Sequence, residues 1–236
     1  MKKSKTPALA CLFLFIWLNA CNQQNKKDET SQAQQNMAAQ LDSLEKIVAN
    51  TAQRFHSYNN DTLTKILLVE SAKQKEPFNS LAYRELRTRK DVNADTLSVL
   101  VKRGNNGAAL LPLLLLREQN DKAYKSLPLE LKAKVLTDAL GASKMYNTWG
   151  FPPFHLEDAA LAMIECGKAT YPALKQMLTD TTAAPVFGSK EHMLYLRYKY
   201  RRCDYALFFI RKSEDPKFVF PTLLAQRDSL IRGALR

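Results

Sequence analysis

Apolar residues recur along most of this chain at helical rather than strand spacing. Met37, Leu41, Leu44, Val48, Thr51 and Phe55 follow one another at intervals of 4-3-4-3-4, one face of an amphipathic helix of about 18 residues. That face is expected to pack into the core, the alternative being an exposed coiled-coil seam for a partner helix. Asn59-Asn60-Asp61 breaks this helix and offers a cap for the next, which carries Leu63, Ile66, Leu67 and Val69. Further helices are predicted over 79–89 (capped by Asn79), 95–103, 107–118 and 128–141, then over 156–166, 168–179 and 190–211, with a last one near 226–235. No segment alternates convincingly as a strand. Ala108–Leu116 is membrane-like in composition but only nine residues long, and reads as a buried helix interrupted by Pro112. Within 191–211 two stripes run along the helix. One is Met193, Leu196, Tyr200, Cys203, Leu207 and Ile210; the other is Tyr195, Tyr198, Arg202, Tyr205 and Phe209. Such a helix is covered on more than one side, as inner helices of stacked pairs are.

Composition narrows the class. With 236 residues, 46% hydrophobic, seven glycines, ten prolines and four cysteines, the chain is neither collagen-like, disulfide-stapled nor of low complexity. It is long enough to bury one sizeable core. Asn22–Asn36 holds no aliphatic side chain larger than Ala33 and reads as a flexible tether reaching about 20 Å. The first residues are of another kind: Lys2, Lys3 and Lys5 precede an uncharged run, Ala8–Leu18, in the layout of a secretory signal. A helix over that run would fall short of a bilayer core of about 30 Å, which argues against a permanent span. Its loss removes three lysines and no acids, so the net charge of +12 falls to +9. The last fifty residues hold eleven basic and five acidic side chains. Outside the cytosol such a balance points to anionic headgroups or acidic partners rather than nucleic acid.

Leu18-Asn19-Ala20-Cys21 resembles the lipobox of bacterial lipoproteins. The resemblance implies a diacylglycerol on the Cys21 thiol, cleavage just before it and an acylated, palmitate-bearing N-terminus. Asn22 in place of Asp implies an outer-membrane location, facing the periplasm or the cell surface. A second resemblance lies in the body. Gly107-x-Ala109-x-Leu111-Pro112-x-Leu114 aligns with Gly167-x-Ala169-x-Tyr171-Pro172-x-Leu174, and Asp121 and Asp180 follow. Gly167–Asp180 with Arg201-Arg202-Cys203-Asp204-Tyr205-Ala206 resembles a HEAT repeat, in which helix A carries Pro-x-Leu, an Asp sits in the turn, and helix B carries Arg then Ala. The resemblance implies an α-helical repeat array or superhelix that binds other proteins and uses no cofactor.

Candidate chemistry is sparse. His155 to Cys166 and His192 to Cys203 are each eleven residues apart, about 16 Å along a helix, too far to share one metal ion. Cys166 and Cys203 are therefore expected as buried thiols or one disulfide, and no metal site is expected. His155, Glu157 and Asp158 open a helix, where acids complement its dipole; the alternative makes them the catalytic group of an envelope-polymer hydrolase. Tyr195-Leu-Arg-Tyr-Lys-Tyr-Arg-Arg-Cys-Asp-Tyr205 is rich in the residue types that concentrate binding energy at interfaces. Its plainer reading has the tyrosines packing between helices and Arg201 pairing with Asp204. Trp149 is either an exposed anchor or a plug between two halves. The sequence thus predicts three parts: a signal over 1–20, a lipidated tether over 21–36 and an all-α, HEAT-like body over 37–236. The expected function is a non-catalytic scaffold, anchored through Cys21, for another envelope protein. Tyr195, Arg197, Tyr198, Arg201 and Trp149 are its candidate contacts, with neither cofactor, metal nor nucleic acid. The alternatives are the hydrolase, or a binder of anionic lipid or glycan through the basic C-terminal helix.

Overall fold

The structure is a computed structural model that describes residues 37, 39–73, 76–104 and 108–235. The predicted signal, Cys21 and the tether lie outside the described residues. The chain divides into two units, one ending at Arg54 and the other running from Phe55.

The described part of the first unit belongs to one helix, α1 (39–57), whose last residues fall in the second unit, with Met37 helical too. Most of its apolar stripe is not core. Met37, Leu41, Leu44, Ile47 and Val48 are each 55% to 67% exposed, which overturns the expected burial for this stretch, whereas Thr51 and Phe55 at the end of the stripe are half-buried and Phe55 packs against the core. Ile47 lies beside the 4-3 stripe and widens it.

The second unit is all-α apart from one short hairpin, and several of its helix starts follow from local side chains. Asn59 Oδ1 accepts from the Thr62 amide at 2.8 Å and starts α2 (Asn60–Ala72). The α3 helix (Leu81–Arg87) is capped by Ser80, not Asn79. The Ser80 hydroxyl accepts from the Tyr83 amide and donates to the buried Glu70 carboxylate at 2.5 Å. Asn93 caps α4 (Ala94–Arg103) and Asn120 caps α6 (Asp121–Ser126), each accepting from the amide three residues on. Between them runs α5 (Leu110–Gln119), whose six leucines and Pro112 are all buried. Pro112 does not interrupt this helix. It is the third residue, where the amide has no acceptor within the helix in any case. A helix apolar all round needs partners all round, and α5 packs against α2, α3, α4, α6, α7 (Leu129–Ala142) and α8 (Asp158–Cys166).

After α7, a 3₁₀ turn at Asn147–Trp149 leads into two short antiparallel strands, β1 (Gly150–Phe151) and β2 (His155–Leu156), paired Gly150 with Leu156 and Phe151 with His155. No strand is expected here from the spacing of apolar residues. The hairpin turns through a cis Pro152–Pro153 bond. Gly150 sits at φ +76°, where a Cβ would lie 2.5 Å from the His155 carbonyl oxygen, so only glycine fits. The segment predicted as one helix over 168–179 begins as a 3₁₀ turn, Gly167–Thr170, and continues as α9 (Tyr171–Met177) with Pro172 in its first turn.

The predicted helix over 190–211 is two helices, α10 (Ser189–Tyr198) and α11 (Arg202–Glu214). Lys199 ends α10 in the left-handed region at φ +49°. Tyr200 and Arg201 then run extended beside 183–184, the Tyr200 carbonyl accepting from the Ala184 amide at 2.9 Å. The backbone thus exchanges helical for cross-chain hydrogen bonds. The nearly fully buried α11 packs on α8, α9 and α12 (Leu224–Ala234). Around it Tyr146, Trp149, Phe151, Tyr200, Tyr205, Phe208, Phe209 and Phe220 form an aromatic core. Cys166 and Cys203 are free and buried, and burial pushes both thiols up to about 11.

Candidate functional site

Three surfaces and one internal network carry the residues of interest. The Arg- and Tyr-rich segment divides at the break after α10. Tyr195 is half-buried and Arg197 exposed, with its guanidinium 5.3 Å from the Tyr198 ring centre. Tyr198 stacks on Phe154 at 5.3 Å and on Tyr200 at 6.0 Å. Arg201 is committed inside the fold. Its Nε and Nη2 donate to Asp204 at 3.1 and 3.0 Å, and Nη2 also donates to Asp228 at 2.6 Å. These hydrogen bonds hold its pKa above the usual range.

Asp204 is fully buried, and its second cation is Arg227, a residue the sequence reading passes over. The Arg227 side chain is fully buried, with Nε 3.1 Å from Asp204 Oδ1 and the guanidinium 4.6 Å from the Tyr200 ring centre. It donates to the carbonyls of Thr222 at 2.6 Å and Tyr198 at 2.7 Å. This network ties α12, α11 and the end of α10 together. The plainer reading of the segment therefore accounts for Tyr198, Arg201 and Tyr205. Tyr195 and Arg197 remain at the surface of α10, which also exposes Met193 and Leu196. Trp149 is corrected outright: it is fully buried, Nε1 donating to Ser143 Oγ at 2.9 Å and the ring meeting Phe209 edge-on. It is a plug, not a surface anchor.

A second surface is an open cleft of about 490 Å³, lined among others by Phe78, Tyr83, Arg84, Arg87, His155, Glu157 and Glu191. The structure brings His155 and Glu157 to this one cleft. Asp158 does not line the cleft and is held in ion pairs with Arg117 at 3.6 Å and with Arg87, at the cleft's edge, at 3.8 Å. Arg87 is itself held by Glu118 at 2.6 Å. Among the described residues no group of three or more His, Cys, Asp or Glu is arranged to hold a metal ion.

A third site has no counterpart in the sequence reading. A cavity of about 280 Å³ lies between the end of α2, Glu76 and Asn79, the start of α5 and the end of α7. Glu76 lines it from the turn before Pro77, and the Thr148 hydroxyl donates to its carboxylate. Burial pushes the Glu76 carboxyl up to about 7. Lys73 and Lys144 lie on the same cavity and are exposed, while Leu110, Leu111, Ala139 and Ala142 supply an apolar wall. Its parts come from three distant stretches, so no local motif marks it.

No helix of the described residues is long and apolar enough to cross a membrane. Comparison of the chain with protein-family models, curated proteins and solved structures finds no match.

Proposed function

We propose that this protein is a lipid-anchored envelope scaffold, acylated at Cys21 and held on the outer membrane by its tether, which grips another envelope protein through α1. The carrying observation is the uncovered stripe of Met37, Leu41, Leu44, Ile47 and Val48, apolar side chains repeating at coiled-coil spacing yet more than half exposed. A solvated helix gains nothing from that pattern, whereas a partner helix would bury it. On this reading the chemistry is association alone, without cofactor or metal. The body would present a HEAT-like pair in α9 and α11. In its favour, Pro172 opens the first helix, Asp180 follows it, and Arg202 on the second donates to Asp180 at 3.3 Å.

The test uses the full chain in its native membrane, solubilised and recovered with whatever it holds. Replacing Leu44 and Val48 by Glu is expected to release the co-purifying protein while the far-UV spectrum stays helical. Replacing Cys21 by Ser is expected to abolish palmitate labelling and membrane retention. An unchanged set of co-purifying proteins in the Glu variant would remove the support for α1.

The hydrolase alternative draws on one observation, the shared cleft of His155 and Glu157. His155→Ala would have to abolish cleavage of an envelope polymer for it to displace the scaffold reading. The anionic-surface alternative draws on Arg197, since Arg201 is already paired. It requires salt-sensitive vesicle binding that Arg197→Ala weakens.

A further inference from the structure

The cavity beside Glu76 has features that packing alone does not account for. Its carboxylate is half-buried with a neutral hydroxyl as hydrogen-bond partner. Burying a carboxylate that pairs with no cation among the described residues is unfavourable, and a protonated amine arriving from outside would relieve that. Lys73 and Lys144 reach the same cavity as exposed cations, and among the described residues neither forms an ion pair. Opposite signs therefore face one space without neutralising each other. The remaining wall is aliphatic, built from Leu110 and Leu111 of α5 and from Ala139 and Ala142 of α7. Buried next to it, the Ser71 hydroxyl finds no hydrogen-bond partner among the described residues. A concave apolar wall with a few convergent polar groups is the usual make-up of a small-molecule site.

We propose that this cavity binds a small zwitterion with an aliphatic body, namely an α-amino acid of about leucine size. Its ammonium group pairs with Glu76, its carboxylate meets Lys73 and Lys144, and its side chain lies on the Leu110–Leu111 wall. A cation alone would leave the two lysines facing like charge. An aliphatic acid alone would leave Glu76 without a counter-ion. The volume admits such a molecule but not a long peptide. The site is independent of α1, so scaffold function and amino-acid binding stand or fall separately.

Isothermal titration of the full chain in detergent at pH 8 tests this with L-leucine, 3-methylbutylamine and 4-methylpentanoate as probes. Leucine is expected to bind, and each analogue lacking one charged group to bind at least about tenfold more weakly. Glu76→Gln is expected to weaken leucine at least about tenfold while leaving the helical spectrum intact. Ala142→Leu, which narrows the cavity without touching a charge, is expected to block binding as well. The proposal is overturned if leucine shows no binding up to roughly 10 mM, a free energy of only about 3 kcal/mol. Equal binding of the amine or the acid, or binding by Glu76→Gln within about twofold of wild type, would overturn it too.

Discussion

Replacing Arg227 by Ala is expected to be among the most destabilising single changes in the second unit. The guanidinium is fully buried and donates to the carbonyl oxygens of Thr222 and Tyr198 at 2.6 and 2.7 Å. Both acceptors would lose a charge-assisted donor, at no more than about 1–3 kcal/mol each, since Thr222 is exposed and Tyr198 half-buried and water replaces part of what is lost. Asp204 would lose one cation but keep Arg201, which holds it through backbone and side chain at 2.9 to 3.1 Å. The Tyr200 ring would lose the cation stacked on it at 4.6 Å. Breaking a buried pair by removing one partner costs about 3–5 kcal/mol, and the surviving Arg201 places Arg227→Ala within that range, not above it. Arg227→Met keeps most of the packing and is expected to cost less, whereas a purely ionic role would make the two variants equal. Urea unfolding followed by far-UV circular dichroism at pH 7 measures both. Hydrogen exchange should show α12 opening first, since Arg227 is its fully buried side chain. A loss below about 1 kcal/mol for Arg227→Ala would refute the view that this network fastens the C-terminal helix.

Other expectations follow from the same reasoning. Glu76 is raised from its ordinary value of 4.5 to about 7, so the folded state holds its proton more tightly than the unfolded one. Its contribution is fully present below pH 4.5 and is lost as pH rises through 7, a change of roughly 3 kcal/mol. Glu76→Gln should therefore match wild type in stability near pH 4.5 and exceed it at pH 8; equal stability at pH 8 by urea titration would contradict the assignment. Gly150→Ala forces a Cβ to within 2.5 Å of the His155 carbonyl at φ +76° and should lower stability by more than about 1 kcal/mol. An unchanged melting temperature would show that the hairpin is not so tightly set. Cys166 and Cys203, buried with thiols pushed up to about 11, should resist iodoacetamide at pH 8 until the chain is unfolded. Peptide mapping that finds either residue alkylated within minutes in native protein would refute their burial.

The helical content was legible because most of the signals are local. Asn59 caps where the sequence places a cap, and the helices over 129–142 and 158–166 fall close to their apolar periods. Errors arise where distant contacts decide. Pro112 looked like an interruption because the start of α5 lies two residues before it, and nothing nearby marks that start. The stripes over 191–211 imply one helix. Tyr200 and Arg201 instead leave helical geometry to bond with 183–184, a partnership that spacing cannot reveal. Trp149 was ambiguous because size and hydrophobicity fit an anchor as well as a plug; Ser143 and Phe209 decide between them. The 4-3 stripe of α1 was visible, but periodicity records only that a face is apolar, not whether this chain covers it. Glu76 gave no signal, since its burial depends on helices more than thirty residues away.

Photo-crosslinking from α1 tests the central claim most directly. A photoreactive residue is placed at Leu44 on the apolar stripe, or at Lys46 on the polar side of the same helix, in the full chain expressed in its native cells. The scaffold account expects a discrete cross-linked partner from position 44 and none from position 46. Equal adducts from both positions, or none from either, would contradict it.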